Sequence, residues 1–144
     1  MNIPRLEILV VSDISVDSNR IHSCEDIFGN EIVKRELRHA DREKMLALHL
    51  NAKHEIISYE IVSIGSLTTS LAHPREIFKA AVLANAYAIL LVHNHPSQDA
   101  NPSEEDIKVT KRIDQAGDIL GIRLLDHIIV TADNVYSFRE HELL

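Results

Sequence analysis

Two histidines one residue apart, followed by a serine and an aspartate, carry the strongest chemical signal in the chain: His93-Asn94-His95-Pro96-Ser97-Gln98-Asp99-Ala100-Asn101-Pro102-Ser103-Glu104-Glu105-Asp106. Two imidazoles and one carboxylate can supply three ligands of a tetrahedral zinc ion, leaving the fourth position for water. Such an ion lowers the pKa of bound water to about 7 and polarises a carbonyl. Ser103 would sit beside that water, where its hydroxyl can donate to a developing oxyanion. A plainer reading exists for each part. Isolated histidines are mostly surface or packed residues, and Ser103 with Asp106 also spells a helix cap worth about 1 kcal/mol. Capping and ligation can share the same side chains.

The elements around the motif decide whether its side chains can converge. Ala88-Ile89-Leu90-Leu91-Val92 is an apolar run that reads as a buried strand. Side chains two apart on a strand point the same way, so His93 and His95 face one side if strand geometry continues past Val92. Pro96 and Pro102 then turn the chain. Ser103 stands at an N-cap position, and Glu104, Glu105 and Asp106 open a periodic helix whose dipole favours acidic residues in the first turn. Asp106 is thereby carried at the start of a rigid element that can point back to the strand end. The helix runs to about Leu120, with Gly121 as the residue that ends it.

Elsewhere, Leu6 to Val11 reads as a short strand. A helix starts near Ser23 and continues through Ile27, Phe28, Ile32, Val33 and Leu37, weakened by Gly29. Cys24 in its first turn reads as a small packing residue rather than a reactive thiol. Met45 to Leu50 alternates, with Leu46, Leu48 and Leu50 on one face, and Glu55 to Ser63 alternates again, so the two form a hairpin across Asn51-Ala52-Lys53-His54. Gly65 marks a bend. Pro74 opens a helix with Ile77, Phe78, Ala81 and Ala84 on its inner side. Ile122 to Thr131 and Asn134 to Phe138 read as the last strands. The order β-α-β-β-α-β-α-β-β fits an α/β (α+β) fold, a mixed β-sheet flanked by helices.

The motif resembles the JAMM motif of the JAB/MPN metalloprotease superfamily. The local match at His93-Asn94-His95-Pro96-Ser97 and Pro102-Ser103-Glu104-Glu105-Asp106 resembles the RadC family in particular. Ser63-Ile64-Gly65-Ser66-Leu67, His73-Pro74-Arg75-Glu76 and Leu124-Leu125-Asp126-His127-Ile128-Ile129 agree with it, and the resemblance covers roughly residues 40 to 140. Gln98 departs from it, because RadC sequences usually have Gly there; the departure bears on the shape of the loop between ligands. The resemblance implies a JAB/MPN-like domain of cytidine-deaminase-like architecture. It also implies a general acid/base glutamate upstream, at the start of an early strand, and Glu43 occupies that place. By position alone Glu43 is an ordinary polar residue at a strand end. Longer RadC proteins carry an upstream helix-hairpin-helix region, and this chain is read as having no room for one. His127 reads as a hydrogen-bonded structural histidine, or as a partner of a ligand.

Composition bounds the rest. With 144 residues and 45% hydrophobic content, the expectation is one domain over 1–144 with a real core. A formal charge of -7 opposes non-specific nucleic-acid binding. The single cysteine excludes an internal disulfide and a Cys-based zinc cluster. Without a signal-peptide pattern or a membrane-length apolar run, the expectation is a soluble cytoplasmic protein with no membrane partner. Oligomeric state is not readable.

The leading expectation is a zinc-dependent hydrolase that cleaves a peptide or isopeptide bond by direct attack of zinc-bound water. His93, His95 and Asp106 bind Zn2+, Glu43 is the general acid/base and Ser103 assists the oxyanion. The alternative is a DNA-repair or mobile-element accessory with a structural zinc, which the traditional RadC label supports and the acidic charge opposes. A nucleobase deaminase is set aside because its H-x-E and P-C-x-x-C signature is absent.

Overall fold

The computed structural model describes residues 1–5, 10, 14–66 and 72–144. The expected first strand, Leu6 to Val11, lies outside the described residues apart from Val10. The described residues form four helices and five strands: α1 (Cys24–Gly29), α2 (Glu31–Glu36), β1 (Lys44–Leu50), β2 (Ile56–Ile64), α3 (Pro74–Leu83), β3 (Ala88–Asn94), α4 (Glu104–Leu120), β4 (Arg123–Val130) and β5 (Val135–Ser137). The strands form one sheet in the order β2-β1-β3-β4-β5. β1 is antiparallel to both β2 and β3, β3 is parallel to β4, and β4 is antiparallel to β5. This is the mixed, helix-flanked sheet that the alternation and helix periods predict.

Both faces of the sheet are covered. Leu46, Leu48, Leu50, Leu90 and Val92 pack with Ile27, Ile32 and Val33 of α1 and α2. On the opposite face, Met45, Ala47, Ile89 and Leu91 pack with Ile77, Phe78 and Ala81 of α3 and with Val109 and Ile113 of α4. β3 is therefore buried along its whole length, as its uninterrupted apolar run requires. Each such Leu or Ile contributes roughly 1.5–3 kcal/mol on burial. α4 approaches the chain entering β4 so closely that a Cβ on Gly117 would lie 2.5 Å from the Ile122 carbonyl oxygen. Glycine is required there by contact, whereas Gly121 is required by its φ of 71°.

The helix predicted through Gly29 is two helices. Asn30 is extended (φ -69°, ψ 139°), and its side chain accepts from the Ile32 N–H, so it ends α1 and caps α2. The Asn side chain offers the backbone a local partner that competes with a continuous helix. Ser23 and Asp26 form the capping box expected at the start. Cys24 is buried, its Sγ 3.3 Å from Glu140 Oε1, and burial together with that carboxylate pushes the thiol up to about 12. It stays protonated and behaves as a packing residue.

His49 lies on the α3/α4 side of β1, 1% exposed. Its Nδ1 is 2.7 Å from Ser58 Oγ, and its Nε2 meets no hydrogen-bond partner among the described residues. Burial pushes this imidazole down from 6.5 to about 4. Between those values the unfolded chain binds the extra proton, so stability present above pH 6.5 falls as pH drops toward 4. The shift corresponds to about 3 kcal/mol. His49→Gln is expected to flatten the fall of urea-measured stability across that window, leaving the share due to His127, whose pKa burial also lowers. An equally steep fall in the variant would clear His49 of the effect.

Candidate metal centre

Strand geometry continues to the end of the motif. β3 includes His93 and Asn94, and the His95 N–H still donates to the Val130 carbonyl (3.1 Å). His93 and His95 therefore point to the same side of the sheet, and their Nε2 atoms are 2.9 Å apart. The site lies beyond the carboxyl end of β3, where the strand hands over to its crossover helix.

Glu43 reaches the same place from the other direction. Because β1 runs antiparallel to β3 with Met45 opposite His93, the residues entering β1 lie at the exit of β3. Glu43 Oε1 is 3.9 Å from His93 Nε2. The backbone on both sides of Glu43 is clamped by Asn94: the side-chain Oδ1 accepts from the Lys44 N–H (2.7 Å), and Nδ2 donates to the Arg42 carbonyl (3.0 Å). The Glu43 carbonyl accepts from the Gly65 N–H (2.7 Å). The middle residue of His-Asn-His thus holds the glutamate segment against the histidines. Sequence reasoning passed over Asn94; its position between two inward-facing histidines was the only signal available.

Asp106 arrives on the first turn of α4. Ser103 and Asp106 form a capping box: the Ser103 hydroxyl accepts from the Asp106 N–H (3.1 Å), and Asp106 Oδ2 accepts from the Ser103 N–H (2.7 Å). The cap orients the carboxylate toward the sheet, with Oδ1 3.4 Å from His93 Nε2 and Oδ2 3.3 Å from His95 Nε2. Ligand-type atoms of Glu43, His93, His95 and Asp106 all lie within 4.8 Å of one another. The sequence-predicted residues are thereby brought together, with Ser103 at the rim, exposed and capping.

The electrostatics follow from this crowding. Burial works to raise the Asp106 pKa, but hydrogen bonds from the two imidazoles and the field of His93 outweigh it and hold the carboxyl well below the usual range. For His95 burial works downward, and Asp106 with the Asp99 carbonyl lifts it above its ordinary value. His127 is fully buried and driven well below the usual imidazole range by that burial. It is bonded to the site: its Nε2 is 2.8 Å from His93 Nδ1 and its Nδ1 is 2.6 Å from Thr110 Oγ1.

The donor set fits a divalent cation. His95 Nδ1 is 2.7 Å from the Asp99 carbonyl. A carbonyl only accepts, so Nδ1 carries a proton, and once the ring gives up its other proton it offers a bare Nε2 to the centre. A neutral imidazole offers one nitrogen lone pair and an ionised carboxylate offers two charged oxygens, and these converge there. Two imidazoles and one carboxylate suit zinc with one open position, and other divalent ions bind such a set too.

The loop between the histidines and the cap accommodates the departure at Gln98. This residue adopts φ 67°, a left-handed conformation that costs a non-glycine residue roughly 1 kcal/mol. Its side chain takes up a hydrogen bond from the Ala132 N–H (2.8 Å), fastening the loop to the turn between β4 and β5.

A mixed five-stranded sheet with these residues at the exit of β3 defines a domain of the JAB class. The model of the RadC-like JAB domain matches residues 21–143, and the chain belongs to that family. It is similar to a UPF0758 protein of Chlorobaculum parvum, 46% identical over 127 residues, which are 88% of this chain and 56% of that one. It also resembles UPF0758 proteins of Caldanaerobacter subterraneus subsp. tengcongensis (48% identity; 83% of this chain, 51% of that one) and Desulforamulus reducens (48%; 86% and 54%). The chain spans about half the length of the curated relatives it matches. Their names state no activity. Among the described residues, no helix is long and apolar enough to cross a membrane.

Proposed function

We propose that this chain is a metal-dependent hydrolase that holds zinc on His93, His95 and Asp106 and cleaves a peptide or isopeptide bond in a protein or peptide substrate. The observation that supports the reading is the convergence of two ring nitrogens and a carboxylate, all within reach of one ion and flanked by a second carboxylate. A zinc ion bound there supplies Lewis acidity, polarising a carbonyl and making water nucleophilic near neutral pH.

The chain's own residues supply the rest. Glu43, 3.9 Å from His93 Nε2, takes the proton from the attacking water and delivers it to the leaving amine. Its backbone is fixed by Asn94 and Gly65, so the carboxylate needs little reorganisation. Ser103 gives its hydroxyl oxygen to the cap as an acceptor, which leaves the O–H proton free to donate to an oxyanion. Water adds directly to the carbonyl carbon, and the C–N bond then breaks as the amine takes up the proton, with no acyl-enzyme; the buried, protonated Cys24 of α1 takes no part.

The test is metal titration of chelator-stripped protein, followed by a peptide and isopeptide screen with and without the ion. About one zinc per chain, and hydrolysis only in the loaded form, is the expected result. No uptake of supplied zinc, or cleavage that is indifferent to chelation, would remove the proposal.

A further inference from the structure

We infer that Thr110 and His127 form a directional hydrogen-bond chain that fixes the tautomer of His93 and aims its Nε2 lone pair at the metal centre. The inference rests on the metal reading of that centre, and it concerns two residues that do not touch it. Both are positioning residues.

The argument is proton bookkeeping along three contacts. Thr110 Oγ1 lies 2.6 Å from the backbone carbonyl of Asp106, one turn earlier in α4. A carbonyl has only lone pairs, so the threonine proton must lie in that contact. The same Oγ1 is 2.6 Å from His127 Nδ1. With its proton already engaged, the oxygen can only accept, and Nδ1 of His127 carries the hydrogen. His127 is 0% exposed, with Phe138 stacked on its ring at 4.7 Å. A charged imidazolium there would lose its hydration, so the ring is neutral and its Nε2 is bare. That bare nitrogen is 2.8 Å from His93 Nδ1, which must donate. His93 is left with Nε2 for the centre, facing His95 Nε2 at 2.9 Å and Asp106 Oδ1 at 3.4 Å.

The chain starts on the carbonyl of one proposed ligand, Asp106, and ends on the ring of another, His93. It crosses from α4 through β4 to β3. Register allows this: His93 pairs with Ile129 on the parallel neighbour, so His127, two residues earlier, lies on the same face and diagonal to it. His95 has the equivalent constraint from the Asp99 carbonyl. Both histidines are thus held in one tautomer by acceptors on their far nitrogens, but only His93 depends on a second imidazole to do so.

The experiment reads ring tautomers from long-range nitrogen–proton correlations in metal-free protein at mildly alkaline pH, and zinc affinity by competition with a chelator. In the unaltered chain His127 is expected to carry its proton on Nδ1. Thr110→Val, which keeps the shape and removes the hydroxyl, is expected to shift His127 toward the Nε2–H tautomer and weaken zinc binding roughly 10–100-fold. Thr110→Ser restores the hydroxyl and is expected to restore both readings. An Nε2–H tautomer of His127 in the unaltered chain overturns the inference, and that measurement needs no variant to fold. Zinc affinity unchanged in a folded Thr110→Val protein also overturns it. If the unaltered chain takes up no zinc, the metal reading fails separately, and the tautomer spectrum still decides the hydrogen-bond chain.

Discussion

Asp106→Asn is expected to abolish tight metal binding while leaving α4 in place. The asparagine keeps a side-chain oxygen able to accept from the Ser103 N–H, which now reaches Asp106 Oδ2 at 2.7 Å, so the cap persists. What disappears is the negative charge between the two imidazoles, 3.4 and 3.3 Å from their Nε2 atoms. Loss of an outer partner costs metal sites roughly 10–100-fold, and loss of a direct ligand is expected to exceed that range. Metal-free stability should fall by more than the roughly 1 kcal/mol of a helix-terminal charge, because the two imidazoles favour the ionised carboxyl in the folded state. Chelator competition and a thermal melt of the stripped protein check the two halves separately. Retained affinity would take Asp106 out of the ligand set, and unchanged metal-free stability would show that the imidazoles do not hold its charge in the fold.

Glu43→Gln is expected to do the reverse: to keep the metal and lose the chemistry. Gln matches Glu in shape, and the segment that carries it is held from outside by Asn94 and Gly65. The amide cannot accept the proton of the attacking water. General acid–base catalysis contributes typically 10²–10⁴-fold, and a fall of about that size in kcat is expected. KM should move little, because the glutamate acts on the water and the leaving group. Zinc content measured beside turnover makes the result decisive: a fully loaded variant with unchanged kcat would take the general acid/base role away from Glu43.

What the sequence could reveal about this site depended on the range of each interaction. The pairing of His93 with His95 follows from the two-residue period of a strand, and β3 does extend through Asn94. Asp106 follows from local capping, and the box with Ser103 forms as read. Glu43 was different. Its place beside the histidines is fixed by the antiparallel register of β1 on β3, which no local pattern encodes, so only resemblance to the family pointed to it. Asn94, Thr110 and His127 were harder still. Each acts across elements distant in sequence, through contacts that exist only once β3, β4 and α4 are docked. His127 was read as a hydrogen-bonded structural histidine or a partner of a ligand, and its contacts with His93 and Thr110 satisfy the first description. The break at Asn30 escaped because hydrophobic spacing runs unbroken across α1 and α2, while the cap that separates them is a single side-chain contact.

The four convergent residues come from the lead-in to β1, the end of β3 and the first turn of α4. Only His93 and His95 remain close when the chain unfolds, so the denatured ensemble offers an ion little more than a weak two-point contact. A cation held between the end of β3 and the first turn of α4 is therefore a ligand of the native state alone. By mass action it would raise the unfolding free energy by about 4 kcal/mol at a free concentration a thousand times its dissociation constant. The melting temperature of this domain would then report the free zinc around it, and zinc scarcity would be felt as loss of folded protein as well as loss of activity.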